Sequence, residues 1–320
     1  MKVGVFLVLF QDEPLEKALD YAKQVGAETV EIGTGGYPGK AHLDPENLLS
    51  QEKEIQKLKE AIQSRGLEIS GLSCHGNPVH PNQEIAQKHQ RDFENTVLLA
   101  EKLGVEKVNT FSGCPGDSDN ASYPNWVVCP WPPDFLEIIK WQWEEKLIPY
   151  WEKAGRFAQN HGVKVCLEMH PGFCVYNPET LLKLRKAVGE VIGANFDPSH
   201  LFWQGIDPIL AIRALEGAIY HVHAKDTKID PKNSPVNGNL DTKPYTEEAQ
   251  RSWIFRTVGY GHDLGFWKDF VSTLRLTGYD GALSIEHEDS LMSGKEGFEK
   301  AIALLKEIVI REKVEGAWWV

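Results

Sequence analysis

The sequence lacks a paired set of cysteines. Its five cysteines are odd in number and show no C-x-x-C spacing (Cys74, Cys114, Cys129, Cys166 and Cys174). This pattern argues against a disulfide scaffold and a structural zinc site, and it favours a reducing compartment. The apolar run at the N-terminus stops at Gln11 and Asp12 and is too short to span a membrane. We therefore expect a cytoplasmic protein without a membrane partner.

The sequence also lacks clusters of basic residues. It contains 34 lysines and arginines against 46 aspartates and glutamates, which gives a formal net charge of −12. A chain with this charge repels nucleic-acid phosphates and anionic membrane surfaces. It has no clear glycine-rich phosphate loop or lysine pair. We therefore expect no nucleic-acid partner, and a small-molecule substrate that carries no phosphate.

Short β-branched runs alternate eight times with longer segments of helical period. The predicted strands cover residues 3–9, 29–32, 67–74, 107–111, 163–169, 191–196, 218–223 and 281–285. The predicted helices lie at about residues 14–25, 45–65, 83–103, 141–160, 178–188, 208–216, 266–277 and 295–310. This rhythm predicts an α/β fold of the (β/α)8 TIM-barrel type, as a single domain over residues 1–320.

Two long segments interrupt the rhythm, at residues 112–133 after strand four and at residues 226–262 after strand seven. Loops of this length in a compact domain are usually lids or binding loops. Both leave the C-terminal ends of strands, where barrel enzymes carry their active sites. Four tryptophans in or after the first loop either stack on a sugar or simply pack the loop (Trp126, Trp131, Trp141 and Trp143).

Four successive predicted strands end in a candidate metal ligand. Strand five ends in LEMHPG with Glu168, and strand six ends in NFDPSH with Asp197. Strand seven ends in HVHAKD with His223, and strand eight ends in SIEHED with Glu286. A lone glutamate at a strand end is usually only solvated, but here four strand ends agree in chemistry and position. Three carboxylates and one imidazole suit one divalent ion, with Mn2+ favoured and Mg2+, Co2+ or Zn2+ as alternatives.

Other histidines lie near these ligands. His221 shares the face of His223 by the two-residue period of a strand, and it is either part of the site or a hydrogen-bonded core residue. His170 and His287 follow ligands along the chain, and we expect both to point away from the site.

The four motifs, together with SGLSCHGNPVHP and WIFRTVGYGHD, resemble those of the xylose-isomerase-like TIM barrel superfamily. Within it the chain is most similar to the sugar phosphate isomerase/epimerase group, which includes D-tagatose 3-epimerase, D-psicose 3-epimerase and inosose-processing enzymes. The resemblance implies that Glu168, Asp197, His223 and Glu286 bind the metal. It also implies that Glu168 and Glu286 act as catalytic acid and base, and that His200 contacts the substrate.

The predicted function is that of a metal-dependent sugar isomerase or epimerase in carbohydrate metabolism. Removing a proton next to a ketone creates an enediolate, whose negative charge a divalent cation stabilises. Two carboxylates on opposite faces of the sugar then allow deprotonation on one side and reprotonation on the other. We expect the substrate to be a small sugar or glycoside, and a homo-oligomer is left open.

The sequence departs from the epimerases after His223. Those enzymes resemble one another in an arginine a few residues later, whereas this chain has Lys225, and its nearest arginines are Arg251 and Arg256. We assign Lys225 and Arg256 to substrate binding, together with His75 and His200, and we expect Arg251 or Arg256 to reach the substrate from the second loop.

This departure keeps open a lyase or dehydratase acting on a keto-sugar, a 3-keto-glycoside or an inosose with the same metal and glutamate pair. A DNA-repair nuclease resembling endonuclease IV is less favoured. Strand four ends in NTFSG, without the histidine that its three-zinc cluster would need, and the chain is acidic. A non-catalytic barrel is a further alternative.

Overall fold

Eight parallel strands close into a barrel in the order β1-β10-β7-β6-β5-β4-β3-β2. The computed structural model describes residues 1–313, 316, 317 and 319. The barrel strands are β1 (Lys2–Phe6), β2 (Thr29–Gly33), β3 (Glu68–Ser73), β4 (Lys107–Thr110), β5 (Lys164–Glu168), β6 (Ile192–Phe196), β7 (Ile219–Ala224) and β10 (Ala282–Ile285). The predicted (β/α)8 barrel is therefore confirmed, with one strand at each of the eight predicted places. The first strand is shorter than predicted, because it ends at Phe6 and a 3-10 helix follows at Leu7–Phe10.

Helices fill the intervals between these strands. Those before β7 are α1 (Leu15–Val25), α2 (Pro45–Leu48), α3 (Glu52–Gln63), α4 (Gln83–Leu103), α5 (Asp134–Trp141), α6 (Ile148–Asn160), α7 (Pro178–Val188), α8 (Ser199–Phe202) and α9 (Pro208–Ala214). Those after β7 are α10 (Ser234–Asn237), α11 (Leu264–Leu276) and α12 (Gly294–Ile308). Among the described residues, no helix has the length and apolar character that crossing a bilayer requires.

Two predicted helices differ from the structure. The predicted helix at residues 45–65 is divided into α2 and α3, and Asp44 caps the first by accepting a hydrogen bond from the Glu46 amide. The helix predicted from residue 141 begins earlier, with α5, and continues through a π-helical turn at Gln142–Leu147 into α6. No residue of α5 is fully buried, although Ile139 packs against the main core.

The inside of the barrel is polar near its C-terminal mouth. Seven polar side chains from six strands are fully buried there: Glu31, Ser73, Asn109, Asn195, His221, His223 and Ser284. The helices instead pack apolar side chains, such as Leu19, Trp151 and Trp267, against the outside of the barrel. Buried polar side chains need hydrogen-bond partners. Two of these side chains, Glu31 and His223, contact each other at the candidate site.

The segment 226–262 carries a two-stranded antiparallel hairpin formed by β8 (Asp226–Ile229) and β9 (Trp253–Arg256). Trp253 and Phe255 of the hairpin form a small separate core with Trp203, which follows α8, and the rings of Trp203 and Trp253 stack with centroids 4.8 Å apart. Asp226 joins the hairpin to the barrel. Its carboxylate accepts hydrogen bonds from the amides of Gly259, Gly261 and His262.

Candidate metal centre

The four predicted ligands come together at the mouth of the barrel. Glu168, Asp197, His223 and Glu286 each offer one ligand atom, and these atoms all lie within 4.8 Å of one another. Nδ1 of His223 is 3.3 Å from Oε2 of Glu168 and 3.2 Å from Oε2 of Glu286. Four strands of the barrel therefore deliver three carboxylates and one imidazole to a single point.

Asp197 has an oxygen without a hydrogen-bond donor. Its Oδ1 accepts from the amide of Ser199 at 2.8 Å, whereas Oδ2 is buried and makes no hydrogen bond to any residue that the structure describes. Burial raises the pKa of this carboxyl to about 6, although His200 opposes the shift. A buried carboxylate oxygen without a donor is costly. A cation bound among these oxygens would satisfy it, so the donor set fits a divalent metal.

The charges of the cluster also fit a cation. Burial by itself raises the pKa of Glu168, but His75 and hydrogen bonds from His200 and His223 hold it well below 4.5. Burial likewise opposes ionisation of Glu286, yet Lys225 and His223 lower its pKa to about 2. Two ionised carboxylates therefore lie beside the same imidazole.

Three of the four predicted substrate-binding residues contact the cluster. Nε2 of His75 is 3.1 Å from Oε2 of Glu168, and Nε2 of His200 is 3.3 Å from Oε1 of the same residue. Nζ of Lys225 lies 3.2 Å from Oε2 of Glu286, and it also contacts Glu288. The two glutamates thus have different neighbours, imidazoles around Glu168 and an ammonium group beside Glu286.

The arginines predicted to reach the substrate are engaged elsewhere. Nε of Arg256 is 3.0 Å from Oδ2 of Asp289. The guanidinium of Arg251 is 2% exposed and lies between the rings of Tyr245 and Trp253, at 4.4 and 4.6 Å from their centroids. The structure therefore brings neither arginine to the metal ligands, because Arg251 packs within the segment 226–262 and Arg256 pairs with Asp289 in the loop after β10.

Two residues near the site were not anticipated. Glu31, on β2, is fully buried, and its Oε1 lies 3.0 Å from Nε2 of His223. The prediction that His170 points away is wrong, because its ring centroid is 4.0 Å from that of His200 and its ligand atoms group with those of Glu168 and His200. His287 does point away, and its Nε2 lies 3.2 Å from the carbonyl oxygen of Met292.

A cavity of about 450 Å3 adjoins the cluster. Its lining combines aromatic and aliphatic surface with polar groups: His170, Tyr245, Ile254, Phe255, Glu288 and Ser290. Phe255 connects the cavity to the cluster, since its ring is 5.5 Å from that of His200 and lies 4.1 Å from Nζ of Lys225. The hairpin therefore forms part of the wall above the candidate metal centre.

The tryptophans of the first long loop do not line this cavity. Trp126 packs edge-on against Tyr176, and Trp143 is buried beneath the ammonium group of Lys183. These two rings therefore pack against neighbouring side chains, which was the alternative to stacking on a sugar.

Residues 19–308 match the sequence model of the xylose isomerase-like TIM barrel family, so the chain belongs to this family. The uncharacterized protein YfiH of Bacillus subtilis (strain 168) is 41% identical over 299 residues, which cover 92% of this chain and 95% of YfiH. Inosose dehydratase of Mesomycoplasma hyopneumoniae (strain 7448) is 24% identical over 321 residues, covering 97% and 96% of the two chains. The resemblance drawn from the strand-end motifs is thereby confirmed.

Two solved structures have the same fold. The IolI protein with a zinc atom superposes with a TM-score of 0.67 at 18% identity, covering 97% of this chain and 98% of its own. A D-tagatose 3-epimerase-like protein gives a TM-score of 0.64 at 20% identity, with coverages of 96% and 98%. At these identities the likeness shows the fold alone.

Proposed function

We propose that this chain is a metal-dependent isomerase or epimerase that moves a proton at the carbon beside the carbonyl of an unphosphorylated sugar or glycoside. The observation that supports this most directly is the pair Glu168 and Glu286. Both carboxylates lie within 3.3 Å of the same nitrogen of His223, yet they come from different strands. A substrate bound between them would meet a candidate proton acceptor on each side.

The metal would be held by Glu168, Asp197, His223 and Glu286, and Mn2+ suits this oxygen-rich set. When bound, a divalent ion supplies a Lewis acid that polarises a carbonyl and stabilises negative charge on its oxygen. Oδ2 of Asp197 supports this assignment, because it is buried and accepts no hydrogen bond from the described residues, and its nearest cationic neighbour is Nε2 of His200 at 3.5 Å.

The two glutamates supply the proton transfers. Glu286 is the more accessible, with a side chain 15% exposed against 4% for Glu168, and Lys225 holds it in place. One carboxylate removes the proton from the carbon. For inversion, the other glutamate must first take up a proton from water; it then gives this proton to the opposite face of the carbon and is left as a carboxylate. For isomerisation, the glutamate that removed the proton returns it to the neighbouring carbon, while a hydrogen moves between the two oxygens of the substrate. His200 would donate a hydrogen bond to a substrate oxygen from the side of Glu168.

The same site favours a dehydratase as the second candidate. Elimination of water needs one base and one acid for the departing hydroxyl group, and the surroundings of the two glutamates are unequal. His75 and His200 lie on the Glu168 side and could supply the acid, while Lys225 keeps Glu286 ionised as the base. The inosose dehydratase relative supports this alternative.

Assays in D2O with Mn2+-loaded protein test the proposal. Free ketoses, 3-keto-glycosides and inososes would be offered in turn. The expected result is deuterium at the carbon beside the carbonyl, with an isomer or epimer as the product. Loss of water from the product would instead identify the dehydratase. No deuterium uptake from any substrate class would contradict proton abstraction by this chain.

Variants then assign the roles. Glu168→Gln and Glu286→Gln should each lower turnover by about a hundredfold or more, the usual range for losing a general base. Because glutamine is a weaker ligand, the metal content of each variant must be measured. Asp197→Asn is the control: it should weaken metal binding, and excess metal should restore most activity. Near wild-type turnover by both metal-loaded glutamine variants would refute the assignment. Cytoplasmic location and oligomeric state stay predictions.

A further inference from the structure

Glu31 is a buried carboxylate that contacts a proposed metal ligand from behind. It is 0% exposed on β2, and its Oε1 and Oε2 lie 3.0 and 3.1 Å from Nε2 of His223. The other ring nitrogen, Nδ1, faces Glu168 and Glu286. The imidazole of His223 therefore stands between Glu31 on one side and the candidate metal site on the other.

Hydrogen bonds from three other strands hold Glu31 in this position. Its Oε2 accepts from Oγ of Ser284 on β10 at 2.6 Å, and its Oε1 accepts from Nδ2 of Asn109 on β4 at 2.9 Å. Oγ of Ser73 on β3 donates to Oε1 as well. The carboxylate cannot turn without breaking several buried hydrogen bonds, each costly to leave unmade. Its orientation toward His223 is consequently fixed by the barrel itself.

A second histidine nearby does not take the place of His223. Nε2 of His221 is 3.7 Å from Glu31, beyond hydrogen-bond distance, and lies 3.3 Å from Oγ of Ser70. Nδ1 of His221 lies 2.9 Å from Oδ1 of Asn195. Of these two rings, only His223 directs a nitrogen at Glu31 within hydrogen-bond distance.

An imidazole that binds a metal through one nitrogen carries its proton on the other. A carboxylate acceptor at Nε2 holds a proton on that nitrogen, so that Nδ1 is the nitrogen that can offer its lone pair to the metal. We propose that Glu31 is a positioning residue that fixes His223 in the tautomer and ring orientation that bind the metal through Nδ1. This role rests on the proposed metal-dependent function and adds to it a residue outside the ligand set. Outer-shell partners of this kind typically change metal affinity by about 10- to 100-fold.

The alternative is that Glu31 only fills the polar interior of the barrel. A purely structural role predicts that losing the carboxylate lowers the stability of the fold without a specific effect on metal binding. Asp92 provides a matched control. It is 4% exposed and accepts from the amide of Gly36 at 3.0 Å, and its oxygen lies 3.2 Å from Nζ of Lys40. None of these contacts is with a candidate ligand.

The experiment measures binding of Mn2+ and of Co2+ to the full chain by calorimetry, together with the visible absorption spectrum of the Co2+ form. Glu31→Gln keeps the volume but removes the charge. We expect it to raise Kd by about 10- to 100-fold and to change the Co2+ spectrum. Asp92→Asn should lower Tm and leave Kd and the spectrum unchanged. Ser284→Ala removes one donor to Glu31, and we expect a smaller rise in Kd of at least about threefold.

Wild-type Kd and spectrum in a folded Glu31→Gln variant would overturn the positioning role, as would an equal loss of affinity in Asp92→Asn. If Glu31→Gln does not fold, Ser284→Ala decides: a rise in Kd supports the role, and an unchanged Kd overturns it. A wild-type chain that binds neither ion would overturn the proposed function itself. If the wild-type chain binds the ions normally and the variants have the same Kd as wild type, only the role of Glu31 is refuted.

Discussion

Replacing Asp226 with alanine should detach the hairpin from the barrel without removing any metal ligand. Asp226 is the first residue of β8, is separated from β7 by Lys225 alone, and is fully buried. Besides the three loop amides, its carboxylate accepts from the amide of Thr227 at 2.8 Å and from Nε1 of Trp267 at 3.2 Å. Nδ1 of His262 lies 2.7 Å from Oδ1. One side chain therefore holds the hairpin, the loop that follows it and α11 together.

The expected loss of stability depends on which of these hydrogen-bond donors water can reach once the carboxylate is removed. Thr227 and Trp267 are fully buried, so alanine would leave two donors unsatisfied at about 1–3 kcal/mol each. The amides of Gly259, Gly261 and His262 are only partly buried, and water can replace much of their loss. We expect a total of about 4 kcal/mol, an unusually large loss for one substitution. At about 2–4 °C per kcal/mol, Tm should fall by about 10 °C.

Thermal unfolding followed by circular dichroism measures this fall, with Asp263→Ala as the matched control. Asp263 caps α11 from an exposed position through one hydrogen bond to the amide of Phe266, so its loss should cost only about 1 kcal/mol. The affinity for Mn2+ should stay within about threefold of wild type in Asp226→Ala, because the carboxylate of Asp226 contacts none of the four ligands. A fall in Tm of less than about 3 °C would refute the reasoning, since it would show that water satisfies the buried donors as well.

Four further results are expected. Removing the metal with a chelator should lower Tm, and Mn2+ at about 100 times its Kd should restore about 2.7 kcal/mol of stability; an unchanged Tm would count against a bound ion. Phe255→Ala should raise KM several-fold with little change in turnover, because its ring forms the cavity wall beside His200; steady-state kinetics checks this. Arg251→Ala should lower Tm more than Arg256→Ala does, since Arg251 is buried between two rings and Arg256 is half-buried; equal Tm values would contradict it. Burial raises the pKa of Asp241, but hydrogen bonds from Lys243 and from the Ser252 amide lower it to about 2. The ionised carboxylate therefore stabilises the fold above about pH 4, and this contribution is lost as the pH falls toward 2. Asp241→Asn should therefore lose less stability than wild type over that interval in acid titrations of unfolding.

Candidate metal ligands could be predicted from the sequence where a carboxylate or imidazole lies at the end of a strand. Glu168, Asp197, His223 and Glu286 were found because each closes a β-branched run, and a parallel barrel gathers such ends at one mouth. The same rule explains why Glu31 was missed. Glu31 lies inside the strand TVEIG rather than after it. A single charged residue within a strand is usually interpreted as part of its solvent-exposed face. The informative signal was its place as the only charge within a strand buried along most of its length.

The positions of side chains beyond the strand ends could not be predicted from the sequence. His170 lies in the loop after β5, where the two-residue period of a strand no longer applies, and only the structure shows its ring against His200. The arginines of the hairpin were assigned by charge alone. Their partners, Tyr245 and Trp253 for Arg251 and Asp289 for Arg256, depend on a register between β8 and β9 that no local pattern fixes.

The order of the strands determines when the candidate metal site becomes complete during synthesis. Glu168, Asp197 and His223 come from neighbouring strands, but Glu286 follows β10, which lies between β7 and β1 and closes the sheet. A nascent chain that ends before β10 therefore offers three ligands and an unpaired edge. The fourth ligand arrives only when the last strand meets the first. The complete set of four candidate ligands would thus exist only after the barrel has closed.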